Sequence, residues 1–101
     1  MSEFRIKEKV LNIQYGYSNE SLLVDGSFVE NQTDGTLVQI NGQCYVKKED
    51  GTRGSSVGNF NGYSRDGVMK YTTSETTPEY GTMIWEAIPD IVNHIDADSN
   101  E

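Results

Sequence analysis

Cysteine occurs once in this chain, at Cys44, histidine once, at His94, and no Lys or Arg follows Lys70. The lone thiol excludes an intramolecular disulfide framework, and without a Cys or His cluster no zinc site can be read from the sequence. Long hydrophobic runs are also missing. The opening Met1-Ser2-Glu3-Phe4-Arg5-Ile6-Lys7 alternates apolar with charged residues, a pattern of neither a signal peptide nor a membrane span. These absences lead to the expectation of a cytoplasmic protein without a cofactor, held together by packing. The sequons at Asn19 and Asn31 then read as chance matches in a chain rich in Ser, Thr and Asn.

Signatures of catalysis are equally scarce. His94 would lie one helical turn from both Asp90 and Asp98, which reads as a solvated helix face, and no patterned nucleophile accompanies it. The Asp-Gly pairs lack the alternating ligands and terminal Glu of a calcium loop. No reaction can be named, and a non-enzymatic protein is expected.

What is present fits one domain: 101 residues leave no room for a second independent core. The boundaries expected are 1–95 for a single β-rich domain ending in a helix over 78–95, and 96–101 for a disordered acidic tail. The fold class expected is mainly β (α+β), an antiparallel sheet or small open barrel of about six strands. Asp-Gly or Asn-Gly begins at 25, 34, 41, 50, 61 and 66 without evident regularity. The strongest local signal is Leu37-Val38-Gln39-Ile40-Asn41-Gly42-Gln43-Cys44-Tyr45-Val46. It predicts a two-residue hairpin at Asn41-Gly42 that pairs Leu37 with Val46, Gln39 with Cys44, Val38 with Tyr45 and Ile40 with Gln43. Leu22 to Val29 reads as a strand with a bulge at Asp25-Gly26, followed by a turn over Gln32 to Gly35. A parity switch near Val10 predicts a bent first strand, and Val57–Tyr63 should pair with Val68–Thr73 across Arg65-Asp66-Gly67.

The period changes near the end. Tyr80, Ile84, Ala87, Ile88, Ile91 and Ile95 recur at helical spacing, with Thr77 as N-cap and Pro78 at the first helical position. Pro89 lacks the donor for the Trp85 carbonyl, which predicts a kink or break after Ile88.

Charge follows the same division. The net charge is −8, yet residues 1 to 70 carry only −1, while Glu75, Glu79, Glu86, Asp90, Asp96, Asp98 and Glu101 carry the rest unopposed. Direct binding to nucleic acid is disfavoured, since phosphate affinity requires clustered Lys and Arg. The function expected is a protein-interaction module, a small acidic inhibitor or adaptor, with nucleic-acid charge mimicry as one version. Glu75, Glu79, Trp85, Glu86 and Asp90 would meet a basic protein, for example one that handles nucleic acid. Two alternatives stand beside it. One is a β-barrel binding an anionic ligand such as a nucleotide, with Arg53, Ser55, Ser56 and Tyr63 around a Gly51 to Gly58 loop. The other is a subunit of a larger assembly, and homo-oligomers are compatible with it. Arg5, Lys7 and Lys9 share strand parity and form a basic stripe, read as protection of an edge strand.

Overall fold

The computed structural model describes residues 10–32 and 35–99. The residues leading into the bend expected near Val10, and the Arg5, Lys7 and Lys9 stripe, lie outside the described residues. Five strands follow one another, β1 (Val10–Ser18), β2 (Leu22–Asn31), β3 (Leu37–Lys47), β4 (Arg53–Arg65) and β5 (Val68–Ser74), and then one helix, α1 (Pro78–Ser99). The strands form an antiparallel meander in chain order, with β1 and β5 at its edges. The architecture is therefore an open sheet, with five strands where about six were expected.

The missing strand is the one the Asn41-Gly42 hairpin would have created. Both residues lie in the middle of β3, which runs unbroken through them. Asn41 sits opposite Ser27 on β2 and Asn61 on β4, and Gly42 opposite Gly26 and Phe60. None of the four pairs predicted within that hairpin forms. Asp25-Gly26 likewise pairs without interruption on both sides, and the register shifts of β2 against β3 fall at Val29/Glu30 instead.

Cross-strand packing explains why these glycines are not turns. Tyr15 stands opposite Gly26, Phe60 opposite Gly42 and Tyr71 opposite Gly62. At Gly42 and Gly62 a ring needs the space a Cβ would fill, and at Gly26 the neighbouring β3 backbone needs it. A Cβ on Gly42 would overlap the Phe60 ring, and one on Gly26 would overlap the Asn41 carbonyl. That carbonyl accepts the Tyr15 hydroxyl at 2.8 Å, so Tyr15 spans its glycine to reach the next strand but one. An Asn-Gly pair permits a primed turn without compelling one, and burial of the aromatic decides between the two.

True turns use the other dipeptides. Asp66 (φ 55°) and Gly67 (φ 80°) both occupy the left-handed region, the geometry that joins two twisted strands with least distortion. The pairing of β4 with β5 across them is the one predicted. Between β3 and β4, Asp50 accepts the Thr52 amide at 3.0 Å and the Thr52 hydroxyl at 2.6 Å, which hold its carboxyl below the usual range. Asn19 Oδ1 closes the β1–β2 turn by accepting the amides of Ser21 and Leu22, each at 2.8 Å.

One face of the sheet carries Leu22, Val24, Phe28, Ile40, Cys44 and Phe60, and α1 covers it with Ile84, Ala87, Ile88, Ile91 and Ile95. The helix starts at Pro78, as the Thr77-Pro78 signal predicts, and runs unbroken through Pro89, where a kink or break was expected. Pro89 is exposed, so the Trp85 carbonyl it leaves unbonded lies on the side of the helix that faces water. The helix also continues to Ser99, beyond the end at Ile95 that its apolar period suggested and into the segment expected to be a tail.

The opposite sheet face needs no second layer because its polar groups bond across strands. Asn41 pairs with Ser27, Gln43 donates to the Gly58 carbonyl, and Ser74 donates to Asn59. Cys44 is fully buried on β3, and burial pushes its thiol from an ordinary 9.0 up to about 11. It therefore packs as a small apolar group. The native thiol is expected to resist thiol-specific labelling at pH 8 and to react rapidly in urea. Because the unfolded chain ionises first, the stability contributed by the protonated thiol should fall as pH rises from about 9 toward about 11. Rapid labelling of the folded protein at pH 8 would contradict this placement.

Candidate partner-binding surface

At 3.6 residues per turn, Glu79, Glu86 and Asp90 fall within an arc of about 40° on α1, roughly opposite its apolar stripe. All three are exposed. The stripe, not the acids, fixes this arrangement: once Ile84, Ile88 and Ile91 face the sheet, the charged line must face outward. Glu75 lies between β5 and α1 with φ 57°, exposed at the point where the chain turns into the helix.

Trp85 lies on the β5 side of that line and is 46% exposed. Its ring meets Tyr71 edge-on, with centroids 6.4 Å apart and an interplanar angle of 84°. This contact fixes one edge of the indole while its remaining surface helps line a shallow groove with Thr73, Thr76, Pro78 and Glu86. Of the residues singled out in the sequence for a partner surface, Glu79, Glu86 and Asp90 are gathered on the outer side of one helix, with Trp85 on its β5-facing flank. Glu75 stands just before its start.

The β1 side of α1 adds residues that the sequence pattern does not mark. The β1–β2 turn comes up against the middle of the helix, and Tyr17, Glu20, Met83, Glu86 and Asp90 line a groove of about 390 Å³. Three carboxylates thus border one concavity that also holds a thioether. The Tyr17 hydroxyl donates to Asp90 Oδ2 at 2.7 Å and accepts from Asn19 Nδ2 at 3.4 Å. Burial, reinforced by the Asp90 bond, raises the Tyr17 pKa, so the phenol stays neutral and keeps donating. On the far side of the turn Lys47 Nζ donates to the Asn19 carbonyl at 3.2 Å. His94 is exposed, with Nε2 3.9 Å from Asp90 Oδ1 and its ring tilted against Tyr17 at 6.3 Å.

The residues proposed for an anionic ligand are not brought together. The segment from Arg53 to Gly58 belongs to β4 and is not a loop, so Ser55 and Ser56 lie on the strand. Arg53 is already engaged: NH1 is 3.3 Å from Asp25 Oδ2, and the guanidinium lies 4.6 Å from the Tyr45 ring centroid. Ser56 pairs with Gln43, and exposed Tyr63 sits ten positions along the same strand from Arg53. At about 3.3 Å per residue that is a separation of about 33 Å, too far for one small ligand. No group of three or more His, Cys, Asp or Glu positioned to hold a metal occurs among the described residues. No helix among them is long and apolar enough to cross a membrane.

Comparison with protein-family models, curated proteins and solved structures finds no match to this chain.

Proposed function

We propose that the protein is a non-enzymatic interaction module that offers the outer side of α1 and the adjoining β1–β2 turn to a basic protein surface. The observation that carries this reading is the groove that Glu20, Glu86 and Asp90 line together with Met83 and Tyr17. A Lys or Arg side chain suits it on both counts, with its aliphatic stem along the thioether and phenol and its charge among the carboxylates. The helix adds to the field because it carries Glu79, Glu86, Asp90, Asp96 and Asp98 and no Lys or Arg. Half-exposed Trp85, on the other side of Glu86, supplies the apolar anchor that charge alone cannot. A protein whose own ligand is nucleic acid fits as partner, since the surface that binds phosphate is basic.

The test is capture of partners from the native host at low and high salt, repeated with Glu20→Lys/Glu86→Lys and with Val68→Lys as a control that adds charge at the exposed start of β5, at the opposite end of the sheet. The double variant should fold with stability within about 0.5 kcal/mol of wild type yet lose about tenfold or more in affinity. The control should bind normally. Binding indifferent to ionic strength, or equally damaged by Val68→Lys, would sink the proposal.

A further inference from the structure

Between β1 and the second half of α1 lies a larger cleft, about 790 Å³, with Tyr17 and Asp90 as part of its lining. The same two residues line the acidic groove, so their 2.7 Å hydrogen bond forms a shared wall between two unlike concavities. On one side of the wall are carboxylates. On the other are Ile13, Tyr15, Phe28, Ile91 and Ile95, with Glu30 and His94 also on the lining.

From this juxtaposition we infer that the two concavities form one composite site, and that the cleft takes a bulky apolar side chain next to the Lys or Arg held by the groove. This rests on the proposed basic partner and specifies what that partner must present.

Several features favour an apolar occupant. Phe28, Ile91 and Ile95 are each at most 8% exposed, so the floor is continuous with the core. Tyr15 turns carbon and not hydroxyl toward the cleft, because its hydroxyl is taken by the Asn41 carbonyl and its ring leans on Phe28 with centroids 6.1 Å apart. The volume falls within the ~300–1,000 Å³ typical of small-ligand sites, ample for an aromatic side chain with its backbone. The Asp90 carboxylate at the shared wall selects the sign of the neighbouring charge. A cation beside the apolar group is attracted and an anion is repelled.

Amide-resolved NMR titration of the full chain with three dipeptide amides separates the possibilities: arginyl-phenylalanine, arginyl-alanine and glutamyl-phenylalanine. Arginyl-phenylalanine amide should bind about tenfold more tightly than arginyl-alanine amide, the equivalent of partial burial of one aromatic side chain. It should shift the amides of Ile13, Tyr15 and Ile95 as well as those of Tyr17 and Asp90. Glutamyl-phenylalanine amide should produce no saturable shift, and Asp90→Asn should reduce the preference for the arginyl peptides. Equal binding of the two arginyl peptides would overturn the composite site while leaving the acidic groove standing. Absence of any preference for arginine over glutamate would overturn the groove and the inference together. Concentration-dependent shifts of the cleft amides without peptide would assign the cleft to a second copy of the chain and overturn the inference.

Discussion

Gly26→Ala is expected to destabilise the protein by about 3 kcal/mol, read as a lower urea midpoint with an unchanged slope. In most strands the exchange is mildly stabilising, by roughly 0.5–1 kcal/mol, because glycine loses the most backbone freedom on folding. Here the sign reverses. The new methyl group meets the Asn41 carbonyl, which is backbone and cannot rotate away, and the same carbonyl holds the Tyr15 hydroxyl. Relief requires β2 and β3 to separate at their centre, where both are paired on either side. Against a total of about 5–15 kcal/mol for a domain of this size, that loss would leave little margin at physiological temperature. A neutral or stabilising Gly26→Ala would show that the two strands do not approach as closely as described.

Gly42 offers a contrast, because its obstacle is a side chain. A Cβ there would overlap the ring of Phe60, which is 1% exposed and one of the largest residues in the core. Gly42→Ala alone should cost about 1–3 kcal/mol and Phe60→Ala about 3–5 kcal/mol. The two effects should not add. With the ring gone the new methyl group enters space the ring vacated, and the double variant should be about 1 kcal/mol or more stabler than the sum of the single effects implies. Additivity within about 0.5 kcal/mol would show that the ring and the glycine do not share that space.

These two positions also show what local sequence can and cannot convey. Six Asp-Gly or Asn-Gly pairs look alike as dipeptides, but only those at 34, 50 and 66 fall between strands, at even sixteen-residue intervals. Their glycines, Gly35, Gly51 and Gly67, have φ of 74°, 87° and 80°. The pairs at 25, 41 and 61 lie within strands, each with its glycine opposite an aromatic on a neighbouring strand. Turn propensity is local, whereas the need for space beneath a ring arises only once strands are paired. The spacing was the available signal, and the strength of Asn41-Gly42 as an isolated motif masked it. The helix was legible because its pattern is self-contained: Thr77-Pro78 marks its start and Ile84, Ile88, Ile91 and Ile95 define its buried stripe. Its run through Pro89 was not, since tolerance of the lost hydrogen bond depends on which side of the helix the proline takes.

The candidate surface divides along the same line. Glu79, Glu86 and Asp90 follow from helical period alone, whereas period leaves Trp85 between the core and the outer side, and its place beside Tyr71 comes from packing. Glu20 and Tyr17 could not be foreseen, because they reach Asp90 only through the packing of α1 against the sheet, across a long stretch of chain. No local periodicity encodes that meeting.

Every strand of the meander pairs with its neighbour in sequence, and the element that covers the apolar face comes after all of them. During synthesis the hairpins can form one by one as the chain emerges, yet Leu22, Val24, Ile40 and Phe60 stay wetted until the isoleucines of α1 arrive. A chain cut short before Ile84 would present a paired but uncovered sheet, an adhesive surface for chaperones and a target for proteases. The helix would thus certify that translation has passed through the whole of the folded unit.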